Sequence, residues 1–236
     1  MFTAVRVSSH IKNIKEYEKL TRERLKILKN YGQRNDFDKW LSIIEMKIAS
    51  LGIDIGKERI KMTKTLANTQ LNCDFPEFQN KMTGGLENDI LIKDPESQLE
   101  VYKAVLYERR EKDGMIGSTS FGPNRSDWKV FHVNKQIEAQ LCSAGEQKML
   151  LSGVFLSFVI SNMMRDKRNL ILLIDDVIAH LDSDHRNLFL RYIKKLIMNN
   201  ANKINIWLSG TSKKLFDELK DIAKFFVIRN NTVNEE

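Results

Sequence analysis

The chain has little cysteine and no regular spacing of metal ligands. Its two cysteines, Cys73 and Cys142, form no C-x-x-C pair, and its four histidines form no H-E-x-x-H motif. These absences argue against a disulfide framework and a zinc site, and they indicate a reducing compartment. The first residues lack the long apolar core of a signal peptide. The apolar stretch from Met149 to Met164 is shorter than the ~20 residues of a membrane span. We therefore expect a buried core helix, a cytoplasmic protein and no membrane partner.

The sequence also lacks the loop G-x-x-x-x-G-K-[ST], whose backbone cradles nucleotide phosphates. The nearest run, Gly52-Ile53-Asp54-Ile55-Gly56-Lys57, has one residue too few between its glycines. It is followed by Glu58, where serine or threonine is needed. The run also lies in a helical pattern. The sequence therefore contains no loop that would bind the β-phosphate of a nucleotide.

Positive charge is in excess. The chain has 38 Lys and Arg against 31 Asp and Glu, a net charge of +7 and a pI near 9.3. This balance favours a polyanionic partner, most often nucleic acid, although lysine-rich surfaces also serve solubility alone. A basic ridge follows one side of a helix predicted at residues 10–30 and consists of Lys15, Lys19, Arg22, Lys26 and Lys29. The ridge could contact phosphates, and a solvated helix face explains it equally well.

Apolar residues at helical spacing dominate the N-terminal part of the chain. They predict helices over residues 10–30, 37–51 and about 56–68, with Gly52 ending the second. We therefore assign residues 1–70 to an α-helical arm.

The remainder, residues 71–236, is predicted to form an α/β lobe. A helix should start at Pro95 and end near residues 110–112. Strand patterns follow at 117–122, and a hairpin is expected at 128–141. After residue 140, strands alternate with helices, and the predicted strands are 170–174, 204–208 and 224–228. This alternation predicts a parallel-type sheet with flanking helices.

The most informative stretch of this lobe begins with the apolar run from Leu170 to Ile174. A short run without polar alternation is typical of a strand buried on both faces of a parallel sheet. Asp175 and Asp176 follow directly, at the strand end where α/β sheets place their ligands. Such carboxylates can hold Mg²⁺ and orient a water, or they can merely cap the next helix. A second acidic position, Asp182, comes six residues later.

The segment from Ser143 to Lys148 precedes a long apolar helix. It is a capping box, in which Ser143 caps the helix and Glu146 reaches back to it. A serine and a glycine at a helix N-terminus also form an anion site of hydroxyl, backbone N–H groups and helix dipole.

The order of these elements resembles that of ABC-type ATPase heads, and more narrowly the RecF family of DNA replication and repair ATPases. The segments that carry the resemblance are Gly122–Asp127, Cys142–Lys148, Asp175–Asp182 and Trp207–Thr211. The helical start, with Tyr17 and Arg22-Glu23-Arg24-Leu25, also looks like the family's arm. The family run G-P-H-R appears here with Asn124 in place of histidine. The resemblance covers nearly the whole chain, but only the C-terminal two-thirds of a typical member.

The resemblance implies ATP and Mg²⁺ as cofactors. Asp175 looks like the Walker B ligand of the metal, and Asp176 lies where the catalytic acid faces the attacking water. The residues implied to bind the nucleotide are Ser143, Gly145, Glu146, Gln147, Asp182 and Thr211. Of these, Ser143 and Gly145 look like the signature pair, and Asp182 resembles the D-loop acid that meets the other head. Thr211 lies where related heads place a phosphate-sensing residue.

The resemblance further implies binding of single- and double-stranded DNA, recombination and SOS-response roles, and mediators of the RecR and RecO type. An ATP-dependent head-to-head dimer would regulate DNA binding, with the Walker A half supplied by another chain. The chain alone is then not expected to hydrolyse ATP. The alternative is a non-enzymatic fragment that only binds DNA or a partner. A chromosome-maintenance ATPase is a weaker alternative, because such proteins carry far longer coiled coils.

Overall fold

The computed structural model of the protein describes residues 8–29, 37–69, 71, 75–165, 169–178, 181–200, 203–230 and 232–235. The chain divides into two compact units, one made of residues 1–68 and 79–131, the other of residues 69–78 and 132–236. The α/β class with a helical N-terminal region is confirmed. The division into an arm of residues 1–70 and a lobe of residues 71–236 stays a prediction. In the structure, residues 79–131 belong to the same compact unit as the N-terminal helices.

Helices dominate the first unit. Its helices are α1 (Ser8–Lys29), α2 (Phe37–Ala67), α3 (Pro95–Glu108) and α4 (Arg110–Ile116). Helix α1 packs along α2, α3 packs on α2, and α4 packs on α1. Strands β1 (Phe78–Thr83) and β2 (Asp127–His132) are hydrogen-bonded neighbours. The helix predicted at residues 10–30 is therefore confirmed, and its apolar side, with Tyr17 and Leu28, lies in the core.

Helix α2 runs unbroken through Gly52 and Gly56, so the prediction that Gly52 ends a helix is wrong. Both glycines are sites of close packing. A Cβ atom at Gly52 would lie 2.7 Å from Cε1 of Tyr102, which is fully buried, and one at Gly56 would lie 2.7 Å from Cδ1 of Leu91. Burial against these side chains outweighs the low helix propensity of glycine, which is only about 1 kcal/mol worse than that of alanine.

Buried charges connect the four helices of the first unit. The Arg24 guanidinium is completely buried and donates to Glu45 of α2 at 2.8 Å, Asp113 of α4 at 2.7 Å and the carbonyl of Leu106 in α3 at 2.6 Å. Arg110 donates to the other Glu45 oxygen at 2.6 Å. Each charge thus has a partner of opposite sign, which offsets the cost of removing it from water.

The strand predicted at residues 117–122 does not form. Gly117 adopts a left-handed conformation, with φ 72°, and its N–H donates to the Asp113 carbonyl at 2.9 Å, which ends α4. The following backbone is then held by side chains, because the N–H of Ser120 donates to the Asp113 carboxylate at 2.9 Å. The segment therefore continues as a loop rather than joining a sheet.

The second unit contains a strand–helix alternation. Its elements are β3 (Ile137–Glu138), α5 (Ala144–Arg165), β4 (Leu170–Ile174), α6 (Ser183–Asn200), β5 (Ile204–Leu208), β6 (Phe226–Arg229) and β7 (Thr232–Glu235). Strands β4 and β5 pair in parallel, as predicted, with Ile174 opposite Leu208. The last predicted strand does not extend this sheet, because β6 pairs antiparallel with β7. The second strand of the predicted hairpin at 128–141 is reduced to the two residues of β3.

Strand β4 is buried on one face only, so the prediction that both its faces are buried is wrong within this chain. Ile174 lies in the core of the second unit, whereas Ile171 and Leu173 are largely exposed. Side chains alternate between the two faces of a strand, so all exposed residues of β4 lie on the same face.

Helix α5 is, among the described residues, the one helix that is long and apolar enough to cross a membrane. Half of its most apolar stretch is buried inside the protein. Leu156 and Val159 are almost completely buried against the core clusters of the second unit. This packing is typical of the core helix that the sequence predicts.

Replacing Arg24 with alanine should lower the free energy of unfolding by about 3–5 kcal/mol, because Glu45 and Asp113 are left buried without it. Urea denaturation followed by circular dichroism measures this change. The matched control is Arg22→Ala, an exposed position of the same helix, which should change stability by less than about 0.5 kcal/mol. Equal effects of the two substitutions would contradict the structure.

Replacing Gly52 with alanine should destabilise the protein by about 1 kcal/mol or more. Overpacking against Tyr102 costs about 1–3 kcal/mol, which exceeds the gain in helix propensity. In the control Gly114→Ala, within α4, the nearest atom to the added carbon is 3.5 Å away, so stability should stay equal or rise. The same denaturation series tests both variants, and a stabilising Gly52→Ala would refute close packing at this position.

Candidate functional site

The acidic pair lies at the carboxyl edge of the parallel strands β4 and β5, where sequence analysis placed it. Because Ile174 and Leu208 are register partners, the residues that follow them are also adjacent. The N–H of Ser209 donates to the Ile174 carbonyl at 3.0 Å. The Ser209 hydroxyl donates to the Asp175 carboxylate and accepts from the Asp176 N–H at 2.9 Å. One serine thus holds both acidic residues at the end of the sheet.

Asp176 has a left-handed backbone, with φ 52°. This conformation is uncommon outside glycine, although aspartate adopts it more readily than most residues. The hydrogen bond from its N–H to Ser209 fixes the turn. Both carboxylates are exposed to solvent. Helix α6 begins at Ser183, and its first turn is capped by Asp182 rather than by this pair.

Asp182 caps helix α6. Its carboxylate accepts from the backbone N–H of His185 at 3.0 Å and from the Nδ1 of the same residue. The hydrogen bonds from the backbone N–H and then from the ring of His185 hold the pKa of Asp182 below its usual value. A Cβ atom at Gly145 would lie 3.7 Å from Cε1 of His185. The His185 imidazole, which is bonded to the D-loop-like acid, therefore lies beside the signature-like segment.

The start of helix α5 forms the predicted capping box. The Glu146 carboxylate accepts from the Ser143 backbone N–H at 3.0 Å and from its hydroxyl at 2.9 Å, and the Glu146 N–H donates to the Ser143 hydroxyl oxygen at 3.4 Å. The Lys135 ammonium forms an ion pair with the same carboxylate. The hydrogen bond from Lys135, followed by those from Ser143, lowers the pKa of Glu146 to about 2. Glu146 is therefore ionised at neutral pH.

Gln147 and Thr211 complete the predicted nucleotide-binding set. The Gln147 side-chain amide donates to the carbonyls of Gln140 at 3.2 Å and Cys142 at 3.0 Å, so it fixes the loop before α5. Thr211 is exposed two residues after Ser209. Between them, a Cβ atom at Gly210 would lie 2.8 Å from the ring of Phe216, which makes glycine necessary at this turn.

The loop that contains Asn124 lies in the first unit. The Tyr17 hydroxyl donates to the Asn124 carboxamide oxygen at 3.4 Å, and the Asn124 amide donates to the Thr119 carbonyl at 3.4 Å. Burial raises the pKa of Tyr17 to about 12, so the hydroxyl keeps the proton that it donates. Gly122 has φ 126°, and a side chain there would collide with Tyr17 and Tyr102. Asn124 thus links the loop to the helical core.

The structure adds three residues that the sequence prediction missed, namely Lys135, His185 and Ser209. Ser209 was detectable from the sequence, because it follows β5 as Asp175 follows β4, and the carboxyl ends of parallel strands meet at one edge. His185 lies three residues after Asp182, which is the spacing at which a capping side chain meets the first helical turn. Lys135 lies eleven positions before Glu146, and no local pattern connects the two.

The donor set around Asp175 fits a hard cation. Mg²⁺ is usually bound by one or two carboxylates, with phosphates and waters as further ligands. Asp175 and Asp176 supply such carboxylates at an exposed strand end. No group of three His, Cys, Asp or Glu residues suited to a metal occurs in the described part of the chain. The pair thus matches the small number of carboxylates that a protein usually supplies to Mg²⁺.

Lys135→Ala should raise the pKa of Glu146 more than Ser143→Ala does. The hydrogen bond from Lys135 is the largest cause of the lowered pKa, and Ser143→Ala keeps the backbone N–H of residue 143 as a donor. NMR titration of the Glu146 side-chain carbonyl measures both values. The pKa of Glu146 in the folded protein lies below the ordinary 4.5. Its interactions therefore stabilise the folded state above pH 4.5, and this stabilisation is lost as the pH falls towards 2. An unchanged pKa in Lys135→Ala would contradict the ion pair.

Comparison with known proteins gives consistent results, although no family model matches the chain. "DNA replication and repair protein RecF" of Rickettsia canadensis (strain McKiel) is 34% identical over 217 residues, which are 91% of this chain and 58% of the relative. The RecF protein of Mesorhizobium japonicum is 31% identical over 222 residues, or 92% of this chain and 56% of the relative. The chain thus spans somewhat more than half the length of these relatives.

Two solved structures of the recombination mediator protein RecF share the fold. They are described as RecF-ATPrS and RecF-ATP in the RecFOR pathway, and both have a TM-score of 0.75 and 20% sequence identity with this chain. They match 97% and 100% of this chain and 59% and 60% of their own chains. Over the part of the sequence that it shares with these relatives, the chain belongs to the RecF family.

Proposed function

We propose that the chain is the signature-bearing part of a RecF-like DNA replication and repair ATPase. In this proposal, ATP-dependent association of heads regulates binding to single- and double-stranded DNA. The observation that carries it is the arrangement of Asp175, Asp176 and Ser209 at the carboxyl edge of β4 and β5. The two solved structures described as RecF-ATP and RecF-ATPrS support ATP as the nucleotide. A phosphate-binding loop supplied by another polypeptide would complete the site.

Asp175 and Asp176 would bind the metal ion and position the attacking water. Asp175 would hold Mg²⁺, which would neutralise charge on the transferred phosphoryl group. The hydrogen bond from Ser209 keeps the Asp175 carboxylate fixed for this task. Asp176, exposed beside it, would orient the attacking water and accept its proton.

The start of α5 would bind the phosphate of a nucleotide held mainly by the partner head. The Ser143 hydroxyl and the Gly145 N–H are donors at a helix N-terminus, where the dipole favours an anion. The Ser143 hydroxyl now donates to Glu146, so it must turn towards an incoming phosphate. Lys135 balances the Glu146 charge, which would otherwise repel that phosphate. Asp182 would face the partner head, and Thr211 would sense the phosphate state.

The basic charge of the chain supports DNA as a ligand. The predicted ridge on α1 is solvent-exposed at Lys15, Lys19, Arg22, Lys26 and Lys29. Lysine and arginine that neutralise phosphates provide sequence-independent affinity, which falls as salt concentration rises. Membership of the RecF family supports mediators of the RecR and RecO type as partners, and a cytoplasmic location.

The direct test is Mg²⁺-dependent ATP hydrolysis by the chain alone and by its mixture with the segment of the Rickettsia canadensis relative that this chain does not span. Activity is expected only in the mixture. Asp176→Asn should lower the rate by roughly 10²–10⁴-fold, and Asp175→Asn should abolish the Mg²⁺-dependent activity. Asp217→Asn, an exposed carboxylate outside the site, should have no effect.

DNA binding provides the second readout. The active mixture should bind duplex DNA more tightly with ATP than without it, as measured by fluorescence anisotropy. A mixture that binds no nucleotide would refute the ATPase proposal and favour a DNA- or partner-binding role without catalysis. Equal DNA affinity with and without ATP would refute the regulatory part.

A further inference from the structure

The Glu146 carboxylate at the start of helix α5 accepts from donors in two separate segments. Its Oε2 atom accepts from the backbone N–H of Ser143 at 3.0 Å and from the Ser143 hydroxyl at 2.9 Å. Its Oε1 atom forms an ion pair with the ammonium of Lys135, which lies eleven residues earlier in the sequence. The two Ser143 donors belong to the capping box, and a capping box needs no cation. Lys135 therefore adds a positive charge that capping does not require.

A tight turn between β2 and β3 brings Lys135 to this position. The backbone N–H of Gln136 closes the turn by donating to the His132 carbonyl at 2.8 Å. Gln136 has a left-handed backbone, with φ 53°, which is uncommon for a residue other than glycine. The chain then returns to α5, and the Gln147 side-chain amide holds the connecting loop by donating to the Cys142 carbonyl at 3.0 Å. The local backbone thus keeps the Lys135 ammonium beside the first turn of α5.

The Glu146 carboxylate occupies donors that an incoming phosphate would need. The Ser143 hydroxyl, which would bind the phosphate, donates to Glu146 in this structure. The hydrogen bond from Lys135 to the same carboxylate raises the pKa of Lys135, so the ammonium is charged at neutral pH. Phosphate oxygens accept from the same kinds of donor, and a phosphate carries more negative charge than one carboxylate. Phosphate and Glu146 therefore compete for one set of donors.

The ion pair between Lys135 and Glu146 can be exchanged at little cost. The two side chains are 49% and 29% exposed, and ion pairs at a protein surface contribute little to stability. Lysine binds phosphate as a point charge on a flexible stem, so Lys135 can follow a new anion without a change in the backbone. The backbone N–H groups at the start of α5 stay in place during this exchange.

We propose that Lys135 binds the nucleotide phosphate at the start of α5, and that Glu146 holds the lysine in place until that phosphate displaces it. This inference rests on the proposed function and adds to its site a cation from a separate segment. In the free chain, Glu146 neutralises Lys135 and occupies the Ser143 hydroxyl. In the bound state, the phosphate accepts from both of these donors and from the N–H of Gly145, and the Glu146 side chain turns towards solvent.

Inorganic phosphate is the probe for this test. It is titrated into the isotope-labelled full chain at constant ionic strength, and the NMR shifts of the Ser143 and Gly145 amides give the Kd. Lys135→Gln should weaken binding about 5-fold or more, as expected for the loss of one charge-assisted hydrogen bond. Lys135→Arg keeps the charge and should stay within about 2-fold of the unchanged chain. The matched control is Lys195→Gln, at an exposed position of α6, which removes the same charge and should leave the affinity unchanged.

Glu146→Gln should change the affinity in the opposite direction. The neutral amide neither retains Lys135 nor repels the anion, so phosphate binding should tighten about 5-fold or more. In the unchanged chain, the side-chain carbonyl resonance of Glu146 should shift on saturation with phosphate, because the carboxylate leaves Lys135. The urea midpoint should stay the same in Lys135→Gln, since the exposed ion pair contributes little to stability.

Equal loss of affinity in Lys135→Gln and Lys195→Gln would indicate a general effect of net charge and overturn the proposal. Weaker phosphate binding by Glu146→Gln, or amide resonances that do not respond to phosphate, would also overturn it. ATP hydrolysis by the mixture with the Rickettsia canadensis segment distinguishes this proposal from the proposed function. Hydrolysis that Lys135→Gln leaves unchanged overturns the role of Lys135 and supports the ATPase. Phosphate binding that depends on Lys135, without hydrolysis in the mixture, refutes the ATPase and supports the role of Lys135 in binding phosphate.

Discussion

The parallel pairing of β4 with β5 is the constraint on which the candidate site depends. The pairing sets Ile174 opposite Leu208, and this register places Ser209 beside Asp175 and Asp176. A slip of one residue would turn the apolar core side chains to the other face and separate the serine from the acids. The chemistry proposed for this edge therefore follows from a backbone register, which is fixed by the packing of α5 and α6 on the buried face.

The helical unit relies on a different principle. Its helices are connected by buried ion pairs around Arg24 as well as by apolar packing. Ion pairs of this kind contribute little net stability compared with well-packed apolar residues, but removing one partner is costly. They require that α1, α2 and α4 meet in one arrangement, because the guanidinium must reach Glu45 and Asp113 together. The network thus favours a specific geometry for these helices.

Glycine illustrates why local patterns mispredict this chain. Gly52 follows an apolar helical run and was assigned as a helix end, yet the helix continues because the missing side chain admits Tyr102. Gly117 lies at the start of a predicted strand, yet its left-handed backbone ends α4. The residue type is the same in both places. Its role depends on what packs against it, and that partner lies far away in the sequence.

The amino-acid pattern by itself determined helices α1 and α3, the strands β4 and β5, the capping box of Ser143 and Glu146 and the family resemblance. These features depend on local spacing and short motifs, which a sequence contains directly. Only the tertiary structure decided which hydrogen bonds Ser209 makes to the acidic pair, that the His185 ring lies beside Gly145, and that one face of β4 is exposed in the described part of the chain. These features depend on contacts between segments that are far apart in the sequence, or on which surfaces other segments cover. Local periodicity contains no information about such contacts.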